Sequence, residues 1–153
     1  MPTLDVPHFS QLVDGYCLPA CAQMVLTYLG VVCSQDDLAQ QMGSRPIIGT
    51  PRSRLTRLQS REISVALSVG GDLETMRQNL ERQLPVIISI QTAELSYWHG
   101  HASRHAVVVV GIEDQDAKVL DPAFPASPVS VPLDELMLAW DEMDNAYAVL
   151  SRR

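Results

Sequence analysis

Residues 10–30 read SQLVDGYCLPACAQMVLTYLG, a polar loop followed by an amphipathic segment. Pro19 is tolerated in a helix only within the first turn, and Gly30 can end a helix in the left-handed conformation. The pattern therefore predicts a helix that begins at or just before Cys17 and carries this thiol at its N-terminus. Apolar side chains recur along that helix every three or four residues, at Cys17, Cys21, Met24, Val25, Tyr28 and Leu29.

The rest of the first half is also mainly helical. Residues 34–43 predict a short helix capped by Ser34 and ended by Gly43. Another helix is expected after Thr50-Pro51, with Leu55 and Leu58 facing the core. A strand over 63–69 then leads, through Gly70-Gly71-Asp72, into a helix that Pro85 stops.

The second half is rich in β-branched residues and predicts strands. One more short helix is indicated by Leu133, Leu136 and Trp140. Helices that precede strands indicate an α+β fold, in which a helical part packs on an antiparallel sheet. The predicted strands are Pro85–Ile90, His105–Ile112, Ala117–Asp121 and Ala146–Leu150.

Length and charge limit the classes of protein that fit. The 153 residues suit a single domain, which we place over residues 1–153. A net charge of −7 disfavours nucleic acid and anionic membranes as partners. No apolar run is long enough for a membrane span, and the N-terminus lacks the pattern of a secretory signal. Three cysteines, an odd and low number, favour a reduced, cytoplasmic protein.

Cys17 is the candidate nucleophile. A free thiol is only a few per cent thiolate at pH 7. The unpaired N–H groups at a helix N-terminus favour the thiolate, and a nearby imidazolium favours it further. The alternative is a small buried hydrophobe, which is how most cysteines behave and how we interpret Cys21. Cys33 is interpreted as structural.

His105 and Asp121 fall on opposite arms of a predicted hairpin whose turn is centred near Asp114. If the indices of opposing residues add to an even number, both side chains share one face and lie within diagonal reach. A carboxylate there can fix the tautomer of His105 and stabilise its cationic form. Alternatively, His105 is an ordinary strand-edge histidine, and Asp121 before Pro122 only marks the end of a strand.

Gln11 precedes Cys17 by six residues in a polar loop. A glutamine amide can donate to a developing oxyanion, although such a residue can equally be solvent-exposed. His99 and His101 raise the possibility of zinc together with Cys17 and Cys21. Their spacing matches no usual zinc pattern, so we predict no metal and no cofactor.

Taken together, these residues resemble a known family. The segment Ser10–Gly30 resembles the catalytic segment of the bacteriocin (double-glycine) leader-processing peptidases and of the wider papain-like cysteine proteases. Within it Gln11, Cys17, Pro19, Ala20, Cys21 and Met24 fit the family pattern. The segments Ser34–Gly43, Pro85–Ile90 and His105–Ala123 look like the elements that follow, so the resemblance covers nearly the whole chain.

The resemblance implies a papain-like fold and a cysteine peptidase or amidase that cleaves a peptide or isopeptide bond. It implies Cys17 as nucleophile, His105 as general base, Asp121 as the residue that orients His105, and Gln11 in the oxyanion hole. The family's Asp-Cys-Gly is Tyr16-Cys17-Leu18 here, and Leu18 can narrow the cleft.

Three functional hypotheses remain open at this point. The first is hydrolysis of a peptide or protein substrate through a thioester. The second is acyl transfer from the same thioester to an amine. The third, which Tyr16 and Leu18 motivate, is a non-catalytic module that binds peptides. Neither the substrate nor the oligomeric state follows from the sequence.

Overall fold

The structure is a computed structural model that describes residues 2–125 and 128–153. Within these ranges the chain forms four α-helices and six strands, and short 3-10 helices lie at Arg52–Leu58, Thr92–Glu94 and Ser96–Trp98. In chain order the elements are α1 (Cys17–Tyr28), α2 (Gln35–Met42), β1 (Ile63–Ser68), α3 (Leu73–Glu81), β2 (Val86–Gln91), β3 (Arg104–Glu113), β4 (Asp116–Leu120), β5 (Val129–Pro132), α4 (Leu133–Asp141) and β6 (Tyr147–Arg152).

All six strands belong to one antiparallel sheet with the order β1-β6-β2-β3-β4-β5. The predicted α+β architecture is confirmed, including the packing of the Cys17 helix on the antiparallel sheet. Helix α1 buries a face that includes Cys21, Met24 and Val25 in the same apolar cluster as Val108 on β3. A second cluster, centred on the fully buried Trp140 of α4, includes Val107 and Val109 of β3.

A β-bulge in β3 sets the register of the β3–β4 hairpin. Near the turn, Gly111 lies opposite Lys118, so the indices of opposing residues add to 229. Beyond the irregularity, Val109 lies opposite Val119 and the sum is 228. One extra residue in β3 therefore changes the sum from odd to even. Beyond the bulge, residues of β3 and β4 whose numbers are both odd or both even have side chains on the same face of the sheet.

The N-terminal segment packs on this bulge. The Leu4 N–H donates a 2.9 Å hydrogen bond to the carbonyl oxygen of Val110. Gly111 is needed at this crossing, because a Cβ there would lie 2.8 Å from Thr3 Oγ1. The first residues thus satisfy a carbonyl that the bulge would otherwise leave unpaired.

The predicted elements are present with small shifts of their ends, and two differences have physical causes. The segment after Pro51 forms a 3-10 helix rather than an α-helix, although Leu55 and Leu58 are buried as expected. Strand β5 was not predicted, because its four residues lie among the prolines at Pro125, Pro128 and Pro132. Every helix in the described part of the chain is too short or too polar to cross a membrane.

Candidate active site

Cys17 is the first residue of α1, and the N-terminus of this helix carries no capping side chain. Tyr16 occupies the capping position without a side-chain hydrogen bond, and no acidic residue lies in the first turn. Pro19 has no N–H, and the first intrahelical bond runs from the Ala20 N–H to the Tyr16 carbonyl oxygen. Among residues 2–125 and 128–153, the N–H groups of Cys17 and Leu18 have no hydrogen-bond acceptor, so they can act as donors beside the sulfur.

The bulge places His105 and Asp121 together. If the register of Val108 opposite Leu120 is continued, Asp121 lies opposite Val107, two residues from His105 on the same face. The observed distance from His105 Nε2 to Asp121 Oδ1 is 2.7 Å. The His105 side chain is 6% exposed and that of Asp121 is fully buried. This bond leaves Nδ1 as the ring nitrogen that can exchange a proton with another group.

The Asp121 carboxylate has further partners that the sequence analysis missed. Oδ2 accepts hydrogen bonds from the hydroxyl of Tyr97 at 2.6 Å and from Nε1 of Trp98 at 3.1 Å. Oδ1 also accepts from the Ala123 N–H at 2.8 Å. With His105, four donors thus converge on this buried carboxylate, enough to hold it ionised and in one orientation.

Aromatic rings cover the pair. Trp98 packs edge-on against His105 with ring centroids 5.0 Å apart, and Phe124 packs against Trp98 at 5.2 Å. Tyr97 and Trp98 belong to a 3-10 helix just before β3. The aromatic pair within Ser96–His101 (SYWHGH), directly upstream of the histidine strand, was the signal that could have identified both residues.

Burial and hydrogen bonding oppose each other in the ionisation of His105. Burial alone lowers the pKa of this imidazole, but hydrogen bonds to Asp121 and Cys17, together with their negative charges, raise it from 6.5 to about 9. Burial likewise opposes ionisation of Asp121, yet the hydrogen bonds and charge of His105 and the hydrogen bond from Tyr97 hold its pKa below the usual value. The pair is therefore an imidazolium and a carboxylate at neutral pH.

Cys17 is the cysteine whose hydrogen bonding and charge act on His105. Cys21, one turn further along, is fully buried in the apolar cluster. Burial raises the pKa of the Cys21 thiol well above its usual value, and the charges of Cys17 and Asp121 add to that effect. Burial, and then the charge of Asp37, also raise the pKa of Cys33. All three thiols are free.

Gln11 is tied to the end of the hairpin by its backbone. Its N–H donates to the carbonyl oxygen of Pro122 at 2.9 Å. His8, three residues earlier, places Nε2 2.8 Å from the carbonyl oxygen of Asp121. The side-chain oxygen of Gln11 is buried without a partner, and its amide makes no hydrogen bond within residues 2–125 and 128–153. This amide is an unused donor in the loop that leads to Cys17.

The remaining residues singled out from the sequence lie outside this arrangement. His99 and His101 are exposed, and His101 stacks on Trp98. Among the described residues, no three His, Cys, Asp or Glu side chains are grouped as metal ligands. Leu18, expected to narrow the cleft, is 4% exposed and packs in the apolar cluster of α1.

The sequence matches the model of the Peptidase_C39 like family over residues 3–148. Among proteins whose functions have been curated, none matches this chain.

Solved structures of similar fold include three relatives. A Bacillus anthracis protein described as a C39-like peptidase has a TM-score of 0.80 at 17% identity, covering 100% of this chain and 99% of that one. The peptidase domain of Streptococcus ComA, a bifunctional ABC transporter of a quorum-sensing pathway, gives 0.73 at 15%, covering 99% and 98%. A double-glycine-motif protease from an AMS/PCAT transporter, in complex with a leader peptide, gives 0.64 at 18%, covering 98% and 92%.

Proposed function

The chain belongs to the Peptidase_C39 like family, and from that membership we propose that it is a cysteine peptidase acting through a thioester on Cys17. Its substrate is a peptide or isopeptide bond of a peptide or protein. The observation that carries the proposal is the buried His105–Asp121 pair, in which Asp121 and Cys17 raise the pKa of His105. Cys17 stands at a helix N-terminus without a capping side-chain hydrogen bond. A purely structural histidine would not need three further donors to orient its carboxylate partner beside a thiol.

Acylation begins when the Cys17 thiolate attacks the carbonyl carbon of the scissile bond. The C–S bond forms and the carbonyl oxygen becomes an oxyanion, which accepts hydrogen bonds from the Gln11 amide and the Cys17 N–H. The His105 imidazolium gives its proton to the leaving amine as the C–N bond breaks. Asp121 holds the imidazole ring in one orientation throughout.

Deacylation returns the enzyme to its starting state. His105, now neutral, takes a proton from a water molecule that attacks the thioester carbonyl. The C–S bond breaks, the acid product leaves, and the sulfur and imidazole regain their charges. An amine in place of water gives the acyl-transfer product, so the two reactions differ only in the acceptor.

Peptides are the favoured substrate class, because the related double-glycine-motif protease was solved with a leader peptide bound. The odd, low number of cysteines favours a reducing, cytoplasmic location. That location, the assignment of residues 1–153 to one domain and the absence of a nucleic-acid partner stay predictions.

The test is incubation of the protein with a peptide library, with cleaved positions identified by mass spectrometry. Wild type and a Cys33→Ser control should cleave the same positions, whereas Cys17→Ala should cleave none. Parallel reactions with an added amine separate hydrolysis from acyl transfer by product mass. Full cleavage by Cys17→Ala would overturn the proposal, and so would a library left intact by wild type whose Cys17 reacts no faster than Cys33 with a thiol reagent.

A further inference from the structure

Gln35, the first residue of α2, carries a buried carboxamide that hydrogen-bonds to the loop before Cys17 and to helix α1. It is 3% exposed. Its Oε1 accepts from the Leu12 N–H at 2.8 Å, and its Nε2 donates to the Ser10 carbonyl oxygen at 3.0 Å. The second Nε2 hydrogen is directed to Gln23 Oε1 on α1, at 3.1 Å. The amide orientation is unambiguous, because a flip would set NH₂ against an N–H donor.

The two backbone contacts of Gln35 flank one residue, Gln11. The loop from Gln11 to Tyr16 has no regular secondary structure of its own. Since the Gln11 side chain makes no hydrogen bond among the described residues, its position depends on its main chain. That main chain is held by Gln35 on both sides and by the Pro122 carbonyl oxygen at its centre.

We propose that Gln35 is a positioning residue for the oxyanion site, because it fixes the main chain on either side of Gln11. This inference rests on the proposed function, in which Gln11 donates to the oxyanion. The Gln35–Gln23 hydrogen bond also connects the loop to α1, the helix that carries Cys17. Because the Gln11 amide and the Cys17 sulfur are then both anchored to α1, they can keep the relative positions that the tetrahedral intermediate needs.

Alternatively, Gln35 only contributes to folding. A methionine has nearly the same shape as glutamine, so it would fill the space of the Gln35 side chain without introducing a charge. However, Gln35→Met leaves the Leu12 N–H and the Ser10 carbonyl unpaired, so the loop can shift while the apolar core stays filled. The two alternatives differ in what the substitution slows. A positioning role slows reactions that form an oxyanion, and a folding role slows every reaction of Cys17.

Two small probes separate these effects without knowledge of the substrate. With p-nitrophenyl acetate, the sulfur attacks the carbonyl, an oxyanion forms, and p-nitrophenolate leaves as the thioester is made. With iodoacetamide, the sulfur displaces iodide and no oxyanion forms. The ratio of the two rates therefore reports the oxyanion site alone. We would measure it in a Cys33→Ser background, with Cys17→Ala as the blank.

Gln11→Ala should lower the acylation-to-alkylation ratio by about 100-fold, as expected for the loss of one oxyanion donor. Gln35→Met should lower it by about 10-fold with alkylation unchanged, and the double variant should match Gln11→Ala. If Gln35→Met does not fold, the same ratio is measured in Gln35→Asn instead. Gln41→Met on the same helix, whose amide binds Arg57, is the matched control and should leave the ratio unchanged.

An unchanged ratio in folded Gln35→Met, or a double variant whose losses multiply, would overturn the positioning role while leaving the oxyanion role of Gln11 intact. An unchanged ratio in Gln11→Ala would overturn the oxyanion role and the inference together. Continued library cleavage by Cys17→Ala would instead show that the proposed function itself is wrong.

Discussion

Asp121→Asn should abolish a pH dependence of stability that the wild type owes to His105. The folded-state pKa of His105 is raised from 6.5 to about 9. Because the raised value lies above that of the unfolded chain, the stabilisation is fully present below pH 6.5 and is lost as pH rises through 9. The free energy of unfolding should fall by about 1.4 kcal/mol per pH unit over this interval, about 3 kcal/mol in all.

Asp121→Asn removes the negative charge that helps to keep the pKa of His105 raised. Without the carboxylate, the burial that lowers the pKa of His105 is opposed only by the hydrogen bond and charge of Cys17, so the folded-state value should drop towards 6.5. The slope above pH 6.5 then disappears. In addition, the amide NH₂ of an asparagine would face the Trp98 N–H in one orientation and the Ala123 N–H in the other, which costs about 1–3 kcal/mol at every pH. The diagnostic quantity is therefore the slope and not the absolute stability.

Urea unfolding monitored by tryptophan fluorescence from pH 5 to pH 10 measures this slope. Ionisation of cysteines in the unfolded chain is common to both proteins, so the difference between their curves isolates the pair. The control is Asp116→Asn, at an exposed carboxylate on β4, the strand that leads to Asp121, and it should follow the wild type. If Asp121→Asn keeps the wild-type slope between pH 6.5 and 9, the assignment of a buried imidazolium–carboxylate pair is wrong.

Three further predictions concern the loop before Cys17, the Trp98 side chain and the pH dependence of cleavage. Gly15→Ala should destabilise the protein by about 2 kcal/mol or more in urea, because Gly15 has φ +93° and a Cβ would lie 2.6 Å from the Ile47 nitrogen; a neutral effect would contradict this packing. Trp98→Phe keeps an aromatic ring but removes the N–H that donates to Asp121, so it should cost about 2 kcal/mol in the same assay. An equally stable variant would show that the bond is not needed. Cleavage of a library peptide should fall as pH rises above about 9, when His105 loses the proton for the leaving amine, while acylation by p-nitrophenyl acetate persists; a parallel fall of both rates would oppose the assigned role.

The helices and most strands could be predicted from the sequence because their signals are local. Pro19, Ser34 and Gly43 mark helix ends by backbone chemistry alone. Helix α1 begins where Pro19 indicates, and α2 begins and ends where Ser34 and Gly43 indicate. The β-branched run after His105 similarly marks a central strand buried on both faces. Strand β5 has no such run, and the 3-10 geometry after Pro51 depends on packing against neighbouring elements.

The site was predictable only in part. The hairpin could bring His105 near Asp121, but the even register depends on one bulged residue in β3 that no local pattern announces. Tyr97 and Trp98 were missed because hydrogen bonding to a carboxylate 23 or more residues away is not a local property. The same holds for Gln35, whose role depends on the path of the loop around Gln11.

The central claim is that Cys17 reacts as part of one unit with His105, and the most direct measurement is site-resolved labelling with iodoacetamide at pH 6. Cys33 is the internal reference, since burial raises the pKa of its thiol. We predict that Cys17 is labelled about 100-fold faster than Cys33, and that most of this advantage disappears in His105→Ala. Equal labelling rates for the two cysteines in the wild type, or an advantage that survives the loss of His105, would contradict the account.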